Sequence, residues 1–180
     1  MPEISDRKKL IEEKIQKTEE AAVISRSVIR EAVKGYLLTE KGYGPGDIET
    51  DRPFQIFLDG KSESTSVDYV VNVAGRRLMA IKCSPGALES RERHLISFAR
   101  VVGEYQIPLI VVTDGVRARL LDSVTGRLVG EGLNALPAKD QAAEMIKTIH
   151  FMPYPAERRE KETRILLAFD AIKCTEESPE

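Results

Sequence analysis

The chain has 180 residues, of which 42% are hydrophobic and 31% charged, and its formal net charge is −2. This length favours one domain, and the near-neutral charge excludes a protein whose whole surface is strongly basic and attracts nucleic acid. No run of about 18 apolar residues predicts a membrane span, and the charged start MPEISDRKKLIEEK lacks the apolar segment of a signal peptide.

The first half of the chain predicts two helices followed by strands. Polar, helix-prone residues occupy 5–17, and apolar residues recur at helical spacing over 19–41. The segment 52–61 is typical of a strand that ends in an Asp-Gly turn. Two further strands are expected at 66–73 and 77–83, and a tight turn at AGR joins them into a hairpin.

The second half alternates a helix, strands and two more helices. A helix is predicted over about 87–105, a buried β-branched strand over 107–115 and a meander over 116–133. Amphipathic helices follow at 138–150 and 156–173, separated by the prolines of FMPYP. This order predicts an α/β fold, with a central mixed sheet of about five strands, helices on both faces and extra C-terminal helices.

Two charged residues, Asp68 and Lys82, lie in the predicted hairpin. If its strands pair through the turn at 74–76, Asp68 stands opposite Lys82. One interpretation is that Asp68 lies at a strand end and reaches solvent. A second is a cross-strand ion pair worth about 0.2–1 kcal/mol. A third is a phosphodiester-cleaving site, in which the acid holds a divalent cation and the lysine assists the attacking water.

A family resemblance rests on four segments in order, IREAVKGYLLTEKGY, SVDYVV, LMAIKC and RHLISFARVVGEYQIPLIVVTDG. Over about residues 25–135 the chain resembles the PD-(D/E)xK nuclease superfamily. More narrowly, it resembles the N-terminal nuclease-like domain of type I restriction enzyme R subunits. The resemblance implies a restriction-endonuclease-like core, DNA as partner and Mg²⁺ as cofactor, with Asp68 as a metal ligand and Lys82 as a catalytic residue.

The chain departs from the family pattern at several positions. The acid expected two residues before the lysine is Ala80, which cannot bind a metal. The glutamine and tyrosine common on the following helix are replaced by His94 and Phe98. Glu31, the nearest acid on the preceding helix, falls on the polar side of that helix.

Glu92 is the candidate for an acid that has moved to the next helix. It lies within the apolar stripe that contains Leu88 and Leu95, so its carboxylate is expected to point inward toward Lys82. As a catalytic and metal-binding residue it would complete the ligand set with Asp68. The structural alternative is an ion pair of Glu92 with Lys82 or Arg91.

Arginine pairs and single titratable groups complete the candidate residues. Arg76 and Arg77 are expected to flank the site and to meet phosphates, as are Arg91, Arg93 and Arg100 on the next helix. His94 is expected at the surface or at a boundary, because no second metal ligand lies near it in sequence. Cys83 and Cys174 are expected to be buried free thiols, which favours a reducing cytoplasm.

Two functions remain open from the sequence. The first is a nuclease-like DNA-binding domain that acts as a Mg²⁺-dependent phosphodiesterase through Asp68, Lys82 and Glu92. The second is a catalytically inactive nuclease-fold module for nucleic-acid or protein interaction. The division expected is an N-terminal helical extension over 1–18, a restriction-endonuclease-like domain over 19–135 and C-terminal helices over 136–180.

The C-terminal helices also carry an expectation about self-association. The apolar stripe of the last helix must cover the core or a partner, and a homodimer through these helices is one outcome. The stripe consists of Ile165, Leu166, Phe169 and Ile172.

Overall fold

The computed structural model describes the backbone of residues 4–176 and the side chains of residues 7–18, 20–21 and 25–172. Four helices lie along the chain: α1 (Ile4–Thr39), α2 (Glu89–Val101), α3 (Lys139–Thr148) and α4 (Ala156–Glu176). Eight strands lie between them: β1 (Ile48–Thr50), β2 (Phe54–Leu58), β3 (Lys61–Thr65), β4 (Tyr69–Val73), β5 (Arg76–Cys83), β6 (Leu109–Thr113), β7 (Ala118–Asp122) and β8 (Leu128–Glu131).

Six of these strands form one mixed sheet in the order β1-β4-β5-β6-β7-β8. The β5–β6 pair is parallel, and the other neighbouring pairs are antiparallel. The strands β2 and β3 form a separate hairpin. The predicted α/β class is confirmed, and the sheet has six strands instead of about five. The strand predicted over 52–61 lies in the separate hairpin, as β2. The sheet strand β1, which was not predicted, has three residues, too few to show a periodicity in the sequence.

The predicted β4–β5 hairpin is present, and β5 is central, between β4 and β6. Val73 pairs with Arg76, so the turn consists of Ala74 and Gly75, with φ of 49° and 76°. Positive φ at both positions is typical of the type I′ turn that matches the twist of a two-residue hairpin. The register then shifts by one residue between Val71 and Asn72.

The sheet separates two apolar layers. On one face, the odd-numbered positions of β4 and β5 pack under α1 and α3 around Val33, Leu37 and Met79. On the other face, Val70, Ala80 and Ile110 pack under α2 and α4. This alternation follows from the pleat, which turns successive side chains to opposite faces. The sheet therefore fixes which helix each side chain of β4 and β5 meets.

The two helices predicted over 5–17 and 19–41 form the single helix α1, which is continuous across the predicted domain division at residue 18. Its described side chains from residue 7 to residue 21 are exposed, and its buried residues begin at Ile29. The first part of α1 is therefore helical although its described side chains are exposed, and the change in burial does not mark a helix end. Within residues 4–176, no helix has the length and apolar character needed to cross a membrane.

Candidate functional site

Asp68 lies immediately before β4 and is fully buried. Its Oδ2 accepts a hydrogen bond of 2.8 Å from the Cys83 amide at the end of β5. Its Oδ1 accepts a hydrogen bond of 3.0 Å from Nη2 of Arg26 and lies 3.3 Å from Nε of Arg30. The Asp68 carboxylate is therefore neutralised by two guanidinium groups and also meets a backbone donor, as a buried charge requires.

Both arginines belong to α1. They stand one helical turn apart, and their side chains are partly exposed, at 39% for Arg26 and 25% for Arg30. Arg30 also contacts Asp51 and lies over the ring of Tyr69, 5.8 Å from its centroid. Burial opposes the charge on Arg30, but its hydrogen bond to Asp51 and the charge of Asp68 raise its pKa above the ordinary value. Arg30 therefore remains a fixed cation beside Asp68.

The predicted register of the hairpin is confirmed for the three pairs Tyr69–Ile81, Val70–Ala80 and Val71–Met79. One step beyond this ladder lie Asp68 and Lys82. Lys82 is 5% exposed, and its β5 position alternates with Ile81 and Cys83. Ala80, two residues before Lys82 and on the same face of β5, packs on the α2 face of the sheet. Asp68, in contrast, contacts arginines of α1, which packs on the other face. The joint catalytic role of Asp68 and Lys82 stays a prediction.

Glu92 lies in the first turn of α2, and 18% of its side chain is exposed. Its carboxylate contacts Nε of Arg119 on β7. Arg119 also reaches Glu131 at 3.2 Å. The hydrogen bond and charge of Glu92 raise the pKa of Arg119. Glu92 is therefore in an ion pair, as the structural alternative expects, but its partner is Arg119, not Lys82 or Arg91.

These contacts determine whether the described groups could hold a metal ion. Among the residues with described side chains, no group of three His, Cys, Asp or Glu residues is placed to hold an ion. A hard cation such as Mg²⁺ takes oxygen ligands, and the Asp68 oxygens already accept from an arginine and an amide. The position of the missing motif acid is the fully buried methyl of Ala80. The described groups therefore do not fit a Mg²⁺ ion without rearrangement.

His94 is buried and not at a boundary, with 1% exposure. Its Nε2 lies 2.9 Å from Oδ1 of Asp170 on α4. The Asp170 Oδ2 accepts a hydrogen bond of 2.7 Å from the Thr65 hydroxyl on β3, and the Phe169 ring lies 5.6 Å from the His94 ring. This polar cluster joins α2, α4 and the β2–β3 hairpin. The sequence distance of 76 residues between His94 and Asp170 concealed the pair.

A second buried cluster joins α2 to α4 through Glu162, which is 4% exposed. Arg93 makes two hydrogen bonds to its carboxylate, of 2.6 and 3.0 Å, and Nη1 of Arg100 lies at 3.3 Å. The Ser97 hydroxyl also donates to it, at 3.1 Å. These two arginines of α2 were expected to flank a phosphate site. They instead hold α4 against α2.

Cys83 is a buried free thiol, as predicted. Burial and the negative charge of Asp68 raise its pKa to about 12. The thiol is therefore protonated at neutral pH and is neither a nucleophile nor a metal ligand. The side chain of Cys174 lies outside the described residues.

The fold and these contacts define a class: an α/β domain with a mixed sheet whose central hairpin begins at a buried aspartate held by arginines. Residues 25–137 match the family described as type I restriction enzyme R protein N terminus (HSDR_N). The match covers more than half of the chain, and the chain belongs to this family. Comparisons with curated proteins and with solved structures find no match.

The partners of Asp68 were missed in the sequence, although a signal exists. At about 100° per residue, Arg26 projects within the sector that contains Ile29, Val33 and Leu37, the buried stripe of α1, and Arg30 projects about 20° beyond Leu37, at the edge of that stripe. An arginine inside an apolar stripe and a second at its edge indicate a buried acid elsewhere in the fold. The sequence does not say which acid it is.

Proposed function

We propose that this chain is a nuclease-fold module that binds nucleic acid and does not cleave it. The observation that carries the proposal is the pairing of Asp68 with Arg26 and Arg30. A guanidinium supplies positive charge and hydrogen bonds, but it cannot activate water as a metal does. The arginines therefore stabilise the acid as part of the fold.

Two further features support the loss of cleavage. Ala80 replaces the acid that the resemblance places two residues before the lysine, and its side chain is buried in an apolar layer. The replacement acid expected on α2, Glu92, has an arginine partner of its own. These two features and the arginine pairing of Asp68 argue against a metal site built from two carboxylates. To bind one ion, Asp68 and Glu92 would first have to break their ion pairs with arginine.

Nucleic acid as the ligand rests on the family relationship and on exposed cations. Each Lys or Arg that neutralises a phosphate releases counterions from the nucleic acid, which favours binding. A few such residues on one part of the surface are therefore enough. The net charge of −2 makes such a surface necessarily local. We therefore expect weak, salt-dependent binding.

A plasmid assay tests the absence of cleavage. Supercoiled DNA incubated with the protein and Mg²⁺ or Mn²⁺ is expected to remain intact. Ion-dependent nicking that disappears in both Asp68→Ala and Lys82→Ala would overturn the proposal. Lys161→Ala, which removes an exposed lysine from α4, is the matched control for the loss of one positive charge.

A binding assay tests the other half of the proposal. Fluorescence anisotropy with labelled single-stranded and duplex oligonucleotides is expected to show binding that weakens as salt rises. Absence of binding to both forms at about 100 µM protein in low salt would contradict it, because non-specific affinities fall in the range of about 1–100 µM.

The second candidate is a Mg²⁺-dependent phosphodiesterase, and the register of the hairpin favours it. The confirmed pairs end one step before Asp68 and Lys82, which the same register would place opposite each other. Asp68 and Glu92 would then hold the ion, which would supply Lewis-acid stabilisation and an activated water. Lys82 would orient the water and stabilise negative charge. Arg26, Arg30 and Arg119 would first have to release both carboxylates.

A further inference from the structure

A cavity of 520 Å³ lies at the turn end of the β4–β5 hairpin, and nothing in the family relationship assigns it a role. Arg77, Tyr105, Arg159 and Glu104 contribute to its wall. Arg77 is near the start of β5, whereas Asp68 contacts Cys83 at the end of that strand. At about 3.3 Å per residue, the cavity is roughly 20 Å from the Asp68 cluster. It is therefore a separate site, and Arg76 and Arg77 do not flank Asp68 as the sequence suggested.

The two cavity arginines are held rigidly, each through part of its guanidinium group. Nε and Nη2 of Arg77 contact Glu49, at 2.9 and 3.3 Å. Nη2 of Arg159 donates to the carbonyl oxygens of Val101 and Gly103, at 2.6 and 3.3 Å. Among the described contacts, these groups leave Nη1 of Arg77 and both Nε and Nη1 of Arg159 as donors for an anion. Rigid guanidinium donors are suited to phosphate oxygens.

An aromatic pair borders the cavity. The rings of Tyr105 and Phe151 lie edge to face with centroids 4.9 Å apart. The exposed Arg76 guanidinium lies 5.4 Å from the Tyr105 centroid and 5.1 Å from that of Phe151. The Tyr105 hydroxyl accepts a hydrogen bond of 2.8 Å from the Arg77 amide, which fixes the ring. Aromatic faces with an arginine plane are the surfaces on which unpaired bases stack.

The charges around the cavity favour an anion. Among the charged residues that line the cavity or have a described contact with a lining side chain, Arg76, Arg77 and Arg159 are opposed by Glu49 and Glu104. Burial works against ionisation of Glu49, but hydrogen bonds from Arg77, Asn72 and Arg52 hold its pKa below the ordinary value. Glu49 is therefore an anion already shared by two arginines, and the cluster keeps a net positive charge.

We propose that this cavity and its rim bind single-stranded nucleic acid. A backbone phosphate contacts Arg77 and Arg159, and a base stacks on the surface formed by Phe151, Tyr105 and Arg76. The volume lies within the roughly 300–1,000 Å³ of small-ligand sites and accommodates one nucleotide unit. Bases of a duplex are stacked on each other, so the aromatic contact is available to single strands only. This inference rests on the proposed nucleic-acid binding and assigns it to a surface.

The test is the anisotropy of a labelled oligothymidylate and of a duplex of equal length, titrated with the full chain. The single strand is expected to bind more tightly than the duplex. Arg76→Ala and Phe151→Leu are each expected to weaken single-strand binding by about fivefold or more, since each removes part of a stacking surface. The control Arg127→Ala removes an arginine between β7 and β8 that is also exposed, and affinity should stay within about twofold.

The outcomes separate this inference from the broader proposal. If Arg127→Ala weakens binding as much as Arg76→Ala, or if the duplex binds as tightly as the single strand, the cavity is not the site and only this inference fails. If neither nucleic acid binds, the inference and the proposed nucleic-acid binding fail together. Because Arg76 is exposed, loss of folding would not explain a selective effect of its substitution. Thermal unfolding curves of the variant and the wild type are the check, and they are expected to match.

Discussion

At the scale of single residues, Asp68 contributes to stability through its partners. Asp68→Ala would leave Arg26 and Arg30 without their shared anion and the Cys83 amide without its acceptor. Removing one member of a buried ion pair costs about 3 kcal/mol or more in the free energy of unfolding. Urea denaturation followed by circular dichroism measures this cost.

The matched control is Glu160→Ala, which removes an exposed glutamate that pairs with Arg164 one turn further along α4. Exposed pairs contribute about 0–1 kcal/mol, so this variant should unfold close to wild type. Equal costs for both substitutions would mean that the arginine contacts of Asp68 do not stabilise the fold.

Cys83 provides a second test at this scale. Its thiol is 1% exposed, and its pKa is raised to about 12 by burial and by Asp68. In a Cys174→Ser background, a thiol reagent at pH 8 is expected to leave Cys83 unmodified until urea unfolds the protein. Rapid labelling of the native protein would contradict the packing around Asp68.

At the scale of elements, the β4–β5 turn contains a strained residue, and a substitution there is expected to relieve the strain. Ala74 has φ of 49°, a left-handed conformation that asparagine tolerates better than alanine does. Ala74→Asn, which gives the Asn-Gly dipeptide of type I′ turns, is therefore expected to raise the free energy of unfolding by about 0.5 kcal/mol. A lower urea midpoint would show that the turn is of another type.

The contact of α4 with α2 should make stability depend on acid pH. Burial alone would raise the pKa of Glu162, but the hydrogen bond and charge of Arg93 and the charge of Arg100 lower it below the ordinary value. In acid, the unfolded state then binds more protons than the native state does, so stability is present above about pH 4.3 and falls as pH decreases through the folded-state pKa.

Glu162→Gln removes this titration. The variant should be less stable than wild type at pH 7, and its stability should change less between about pH 5 and pH 3. Urea denaturation at a series of pH values gives both quantities, with exposed Glu160→Gln on the same helix as the control. An unchanged acid slope in Glu162→Gln would place the titrating groups elsewhere.

At the scale of the whole molecule, local sequence patterns were sufficient to predict the fold class and most of the order of helices and strands. The pairing of Tyr69 with Ile81 was predicted from a turn at 74–76; the turn is one residue shorter, and the register shift between Val71 and Asn72 restores the predicted pairing. The resemblance to the N-terminal domain of type I restriction enzyme R subunits, carried by residues distributed from α1 to β6, is confirmed over residues 25–137.

The side-chain partners could not be predicted in the same way. Asp68 meets Arg26 across 42 residues, and His94 meets Asp170 across 76. Such pairs depend on the angle at which a helix crosses the sheet, which periodicity does not encode. The same limit applies to α4, whose predicted stripe packs through Leu166 against the core of its own chain. A homodimer through the C-terminal helices stays a prediction.

The central claim is that arginines, and not a metal, neutralise the buried Asp68 carboxylate. Isothermal titration calorimetry with MgCl₂ up to millimolar concentration tests it most directly. We predict no saturable heat in the wild-type chain and the same flat trace in Asp68→Asn. A one-site isotherm in the wild type that disappears in Asp68→Asn would contradict the claim.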